Sequence, residues 1–146
     1  MRFLPNWFSR IRRRQKEEPE EVQDDKIVVA EVLTVEKHPN ADRLRVVKLQ
    51  TGSEIIDPVV CGAFNFDVGD KVVLALPGAH IPQNVHSDTH EPFILGKMKI
   101  RGVESQGMIA SAFELGLSNE PKRAIMVLER ELEFGRKFSK NMKWHE

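Results

Sequence analysis

A chain of 146 residues, 40% hydrophobic and 30% charged, can close one hydrophobic core, which excludes a disordered or fibrous chain and argues against two independent domains. No apolar run reaches the roughly 20 residues of a membrane-spanning helix, and a single cysteine, Cys61, excludes an internal disulfide, so a soluble, cytoplasmic protein is the expectation. The formal net charge is zero, which excludes the strongly basic field of a non-specific nucleic-acid binder and requires any such binding to use a local patch.

In chain order the charge is uneven. The first sixteen residues hold six bases and no acid, the next nine hold six acids and no base, and residues 26–146 are left with sixteen of each. Phe3, Leu4, Trp7, Phe8 and Ile11 recur at offsets of three and four among the arginines, the pattern of a short amphipathic helix. Four roles stand side by side for it: contact with an anionic membrane surface, extra phosphate contacts to a nucleic acid, packing on the barrel or a twin subunit, and an organelle presequence. The acidic stretch from Glu17 to Asp25, broken by Pro19, reads as a linker, so the chain divides into residues 1–25 and a domain over 26–146.

From Lys26 onward short β-branched runs alternate with turn residues. Ile27–Val35 is the first. Leu44–Gln50 alternates and stops at Thr51-Gly52-Ser53, and Ile55–Cys61 carries Pro58, which signals an edge or a bulge. A brief helical turn is expected over Phe64–Val68. Lys71–Leu76 halts at Pro77-Gly78, and a fifth strand starts near Met98, is interrupted around Gly102 and Gly107, and resumes over Met108–Ser111. Arg123–Glu129 suits a sixth strand better than a helix. This order predicts an all-β fold, a five-stranded Greek-key barrel of the oligonucleotide-binding (OB) type with short helical turns.

Within that barrel Lys97, Lys99 and Arg101 alternate with Met98 and Ile100, so an extended strand would put three bases on one face and the apolar pair toward the core. Such a row can meet successive phosphates, although an ordinary solvated strand face has the same pattern. Ser105-Gln106-Gly107-Met108 offers hydrogen-bonding groups and an adaptable apolar side chain beside glycines, or simply a bend between two strand halves. Asn40, Arg43 and Asn65 fall in loops at the same end and are secondary candidates, with turn capping as the alternative for both asparagines. Cys61 reads as a buried structural thiol. His86-Ser87-Asp88-Thr89-His90-Glu91 reads as a polar connection, with weak cation binding as the alternative.

The ordered motifs His38-Pro39-Asn40-Ala41-Asp42-Arg43-Leu44, Val60-Cys61-Gly62-Ala63-Phe64-Asn65, Ala75-Leu76-Pro77-Gly78-Ala79, Arg101-Gly102-Val103-Glu104-Ser105-Gln106-Gly107-Met108 and Glu114-Leu115-Gly116-Leu117 resemble the tRNA-binding domain near the N-terminus of bacterial phenylalanyl-tRNA synthetase β subunits. The same domain type occurs as free-standing tRNA-binding proteins, and the likeness runs from about residue 27 to about 140. The resemblance implies tRNA as partner, contact through the serine, glutamine and methionine of the Ser105–Met108 element, no cofactor and no catalytic site. It also implies assistance in trans to an aminoacyl-tRNA synthetase or another tRNA enzyme. A split β subunit working in an aminoacylating complex and an interaction or membrane-tethered module that lost the RNA are the alternatives, since nothing of the aminoacylation machinery fits in this length. Phe64 departs from the proline common in β subunits and is either a stacking surface or another core ring. A homodimer is expected on the analogy of free-standing members, with Ile125, Val127, Leu132, Phe134 and Phe138 as its apolar surface or as part of the monomer core.

Overall fold

A computed structural model describes residues 24–146, and the expected amphipathic segment and most of the acidic linker lie outside them. Eleven short strands follow one another: β1 Ile27–Lys37, β2 Arg45–Gln50, β3 Ile55–Cys61, β4 Lys71–Ala75, β5 His80–Ile81, β6 Phe93–Ile94, β7 Met98–Ile100, β8 Val103–Ser105, β9 Met108–Ile109, β10 Val127–Leu128 and β11 Trp144–His145. All paired strands are antiparallel, and seven share one sheet in the order β11-β10-β4-β1-β2-β3, with β9 also on β4.

The barrel follows from this order. β3, β2, β1, β4 and β9 wrap in sequence, and β8 returns beside β3, where the Gln106 N–H donates to the Pro58 carbonyl over 2.8 Å. No ladder joins β3 to β8 or β9, so the fold is an OB-like barrel left open along one seam. The bend comes from two register shifts. One leaves Leu33 unpaired between Val32 and Thr34 on β1, and the other sets Lys48 on β2 against Asp57 and Pro58 on β3, where proline has no N–H to give a ladder.

Two cores lie on opposite faces of the same strands. Val28, Ala30 and Val32 of β1 point inside the barrel with Val47, Leu49, Val59, Val72 and Leu74, whereas Ile27, Val29, Val73 and Ala75 point outward. The outer face is covered by Ile81, Leu95, Met126, Leu128, Phe138 and Met142, which is why β1 and β4 read as continuous apolar runs rather than alternating ones. Ile125, Val127, Leu132, Phe134 and Phe138 all pack within these two cores, so the surface expected for a homodimer is engaged inside one chain.

Three expectations are corrected locally. Phe64–Val68 forms a bend and a turn instead of a helical turn, and no helix occurs among the described residues. The fifth strand divides into β7, β8 and β9, with β7 and β8 forming a separate hairpin. Of Arg123–Glu129 only Val127–Leu128 is strand, because Ile125 pairs with the side chain of Asn65 and not with a neighbouring backbone. Downstream of β9, Ser111 and Glu114 bond reciprocally around one tight turn that ends with Leu117 N–H donating to the Ala112 carbonyl over 2.8 Å.

Candidate nucleic-acid interface

The β7–β8 hairpin turns through Arg101-Gly102, both at positive φ (52° and 91°), since Ile100 pairs directly with Val103. Two left-handed residues define the tight turn whose twist suits a hairpin, and glycine takes its position without strain. Arg101 therefore sits in the turn, not in the strand, and the expected row of three bases is broken: Lys97 precedes the strand, Lys99 lies on it and Arg101 occupies the tip. All three are exposed, and Glu104 stands directly across from Lys99. The apolar pair does not enter the core either, since Met98 is 54% exposed and Ile100 is half-buried.

The tip is held by the loop between β1 and β2. Asn40 donates from its side-chain amide to the Arg101 carbonyl over 3.0 Å. His38, buried below it, accepts the Asn40 N–H on Nδ1 over 3.0 Å, which leaves the proton on Nε2 to donate to the Ile100 carbonyl, also 3.0 Å away. A single histidine tautomer thus joins the loop to the hairpin. His38 was missed by sequence reasoning, although it heads the motif containing Asn40; its carbonyl partner is 62 residues away and leaves no local signal.

The other side of the same loop carries a second cluster. Arg123 donates from Nε to the Gly62 carbonyl and from Nη2 to the Arg43 carbonyl, both over 2.7 Å. Arg45 lies with its guanidinium carbon 4.8 Å from the centroid of Phe64 and 4.5 Å from that of Phe66, and its Nη2 donates to the Phe66 carbonyl over 2.9 Å. Phe66 is buried while Phe64 is exposed. Arg45 and Arg123 were also absent from the sequence candidates, Arg123 because its partners are 61 and 80 residues distant.

The remaining candidates divide by what their polar atoms already do. The hydroxyl of Ser105 is buried, accepts the Val60 N–H over 3.0 Å and donates to the Gly107 carbonyl over 2.8 Å, so it fastens β8 to β3. Asn65 gives both ends of its amide to the backbone of Ile125 and acts as a strand partner. Gln106 is half-buried with its amide on Glu104, and Met108 packs into the outer core. A Cβ on Gly107 would stand 2.8 Å from the Ala75 carbonyl, which explains a glycine there by close packing rather than by ligand approach. Arg43 is exposed and offers its side chain outward from a backbone that Arg123 fixes.

Burial pushes the Cys61 thiol up to about 11, so it stays protonated and unreactive near neutral pH. Among the described residues no three histidine, cysteine or acidic side chains converge as a metal ion needs, and His90 packs edge-on against Phe113 at 4.9 Å.

An open OB-like barrel with exposed lysine and arginine around one loop and an aromatic ring beside them belongs to the class of small nucleic-acid-binding β modules. More particularly, the chain belongs to the tRNA-binding domain family: the family model described as "Putative tRNA binding domain" matches residues 27–137. The phenylalanine–tRNA ligase β subunit of Geobacter sulfurreducens is 48% identical over 111 residues, 76% of this chain and 13% of that protein. That of Bdellovibrio bacteriovorus is 38% identical over 113 residues, 77% of this chain and again 13% of the relative. A Bacillus subtilis protein named "Putative tRNA-binding protein YtpR" is 44% identical over 114 residues, 77% of this chain and 52% of its own length. The chain therefore spans a small part of the synthetase subunits and about half of YtpR.

Proposed function

We propose that this protein binds tRNA without catalysing a reaction, recognising shape and backbone, and assists a synthetase or another tRNA enzyme in trans in the cytoplasm. The observation that carries the reading is the clamped loop. His38 and Asn40 fix the hairpin tip on one side and Arg123 fixes Arg43 on the other, so Lys99, Arg101 and Arg43 are presented from a rigid frame within a family-matched domain. Phosphate contact needs no base-specific geometry, and a body of balanced charge implies modest, salt-sensitive affinity.

The test is equilibrium binding of bulk tRNA at low and physiological salt, beside the variant K97A/K99A/R101A. Binding with a clear salt slope that the variant loses supports the reading, and absence of binding at low salt refutes it. A second reading is favoured by the identity to synthetase β subunits: the chain works only as part of an aminoacylating complex. Purified protein that ignores tRNA alone but binds it after a synthetase is added would select that reading.

A further inference from the structure

The cationic tip leaves the Phe64 cluster without a role, and its geometry is unusual for a surface. Phe64 is 54% exposed at the exit of β3, in a segment with two buried neighbours, Ala63 and Phe66. Its ring lies against the Arg45 guanidinium, which is itself held by the Phe66 ring and by bonds to the Phe66 and Ala63 carbonyls at 2.9 and 3.3 Å. The ring is therefore held from behind while over half of its surface meets solvent. Arg123 bonds the carbonyls of Gly62, two residues before Phe64, and of Arg43, and the stretches 43–45 and 62–66 together with residue 123 hold three arginines and no acid; of the two acids that border these stretches, Asp42 pairs with Lys37 at 3.4 Å and Asp67 accepts the Val68 N–H on Oδ1 over 2.9 Å.

We propose that Phe64 is a stacking platform for one unpaired nucleobase of RNA, with Arg45 as its rear support and Arg43 and Arg123 placed for the adjoining phosphates. A π-face accepts any base, so the contact adds affinity without sequence choice, and it requires a nucleotide that is out of a duplex. Arg45 serves as a positioning residue, since its guanidinium carbon lies 4.8 and 4.5 Å from the two ring centroids and its Nη2 is bonded to the Phe66 and Ala63 carbonyls. Asn40, which holds the Arg101 tip, and Arg43 are three residues apart, a span of at most about 11 Å of chain, so one strand of RNA can engage both clusters.

This deepens the tRNA reading and rests on it for the ligand class, so the experiment uses two probes: bulk tRNA by equilibrium binding, and single-stranded oligoadenylate by NMR titration of the labelled protein. Phe64→Leu keeps an apolar side chain at an exposed position and Phe64→Trp enlarges the π-face. A stacked base predicts that Phe64→Leu weakens both ligands by about 5- to 100-fold, that Phe64→Trp retains or tightens binding, and that neither changes the salt slope. Equal affinity of wild type and Phe64→Leu for tRNA overturns the platform and leaves tRNA binding standing. Binding of oligoadenylate at Phe64 without any binding of tRNA keeps the platform and removes the tRNA reading. Loss of affinity in Phe64→Leu that Phe64→Trp shares assigns the position to shape rather than stacking and overturns the platform as well.

Discussion

Ser105 shows how a polar residue in a binding motif is held to structural work. Its hydroxyl closes the barrel seam by taking the Val60 N–H and giving its proton to Gly107, at a site with almost no exposure. Ser105→Ala should cost about 1–3 kcal/mol, the penalty of leaving a buried backbone donor unpaired, and should leave tRNA affinity unchanged where the variant is folded. Urea unfolding beside tRNA titration checks this; lost affinity at unchanged stability would return Ser105 to the ligand. Glu114 makes a second case. Burial raises its carboxyl above the ordinary 4.5, against the two Ser111 bonds that lower it. A raised carboxyl favours the protonated form in the folded state, so its stabilising contribution is fully present below the ordinary 4.5 and lost as pH rises from there through its folded value. Glu114→Gln keeps an oxygen for both Ser111 donors and removes the titration. Its stability relative to the wild type should therefore grow from pH 4 to pH 7, in a series of melts; a difference independent of pH contradicts the assignment.

At the scale of elements, the tip of the β7–β8 hairpin is held by the β1–β2 loop, while Ser105 and Gln106 hold its base to β3. An isolated two-stranded hairpin is marginal in water, and three residues in each strand are few. Asn40→Ala removes the bond to the Arg101 carbonyl and should speed hydrogen exchange in residues 98–105 and weaken tRNA binding, with a smaller effect on the melting of the barrel. Exchange that rises equally throughout the protein would show that the grip stabilises the whole fold instead. Arg101 stands at φ 52°, a conformation that asparagine tolerates and a long side chain does not favour. Arg101→Asn should add up to about 1 kcal/mol of stability while lowering the salt slope of tRNA binding by about one, if the arginine meets a phosphate. Unchanged slope at raised stability would place the arginine away from the RNA. The strands were legible in the sequence because β-branched runs and turn residues are local: β3 falls at the expected residues, and β1, β2 and β4 within two. The site was less legible. Lys97, Lys99 and Arg101 were found by alternation, but alternation assumes a continuous strand, and the turn at Arg101-Gly102 depends on a grip from 61 residues away. His38, Arg45 and Arg123 act through backbone carbonyls brought close only by folding.

Across the whole molecule, the barrel's outer face explains why the domain extends beyond its five principal strands. Ile27, Val29 and Val73 point away from the barrel interior, and exposing them would leave an apolar sheet face in water; the chain after β9 folds back to cover it. Phe138 is the centre of that cover. It is fully buried, and its N–H donates to the Ile27 carbonyl over 2.9 Å, one of several bonds that lay this segment along β1. Truncating a buried phenylalanine to alanine costs about 3–5 kcal/mol through lost burial and the cavity left behind. For a domain of this size that corresponds to a fall in melting temperature of about 10–20 °C, within what a natural domain survives at room temperature. Of the lysines and arginines of the candidate interface, Arg43 lies on the β1–β2 loop, Arg45 on β2, Lys97 just before β7, Lys99 on β7, Arg101 in the β7–β8 turn and Arg123 on the β9–β10 connection, and none of these side chains belongs to the outer core. Phe138→Ala should therefore lower the melting temperature by that amount and still bind tRNA with the wild-type salt slope at 10 °C. A fall of less than about 3 °C would mean that residues after 126 dock on a barrel already stable without them. Lost binding at full folding would mean that the cover shapes the RNA surface from the far side of the sheet.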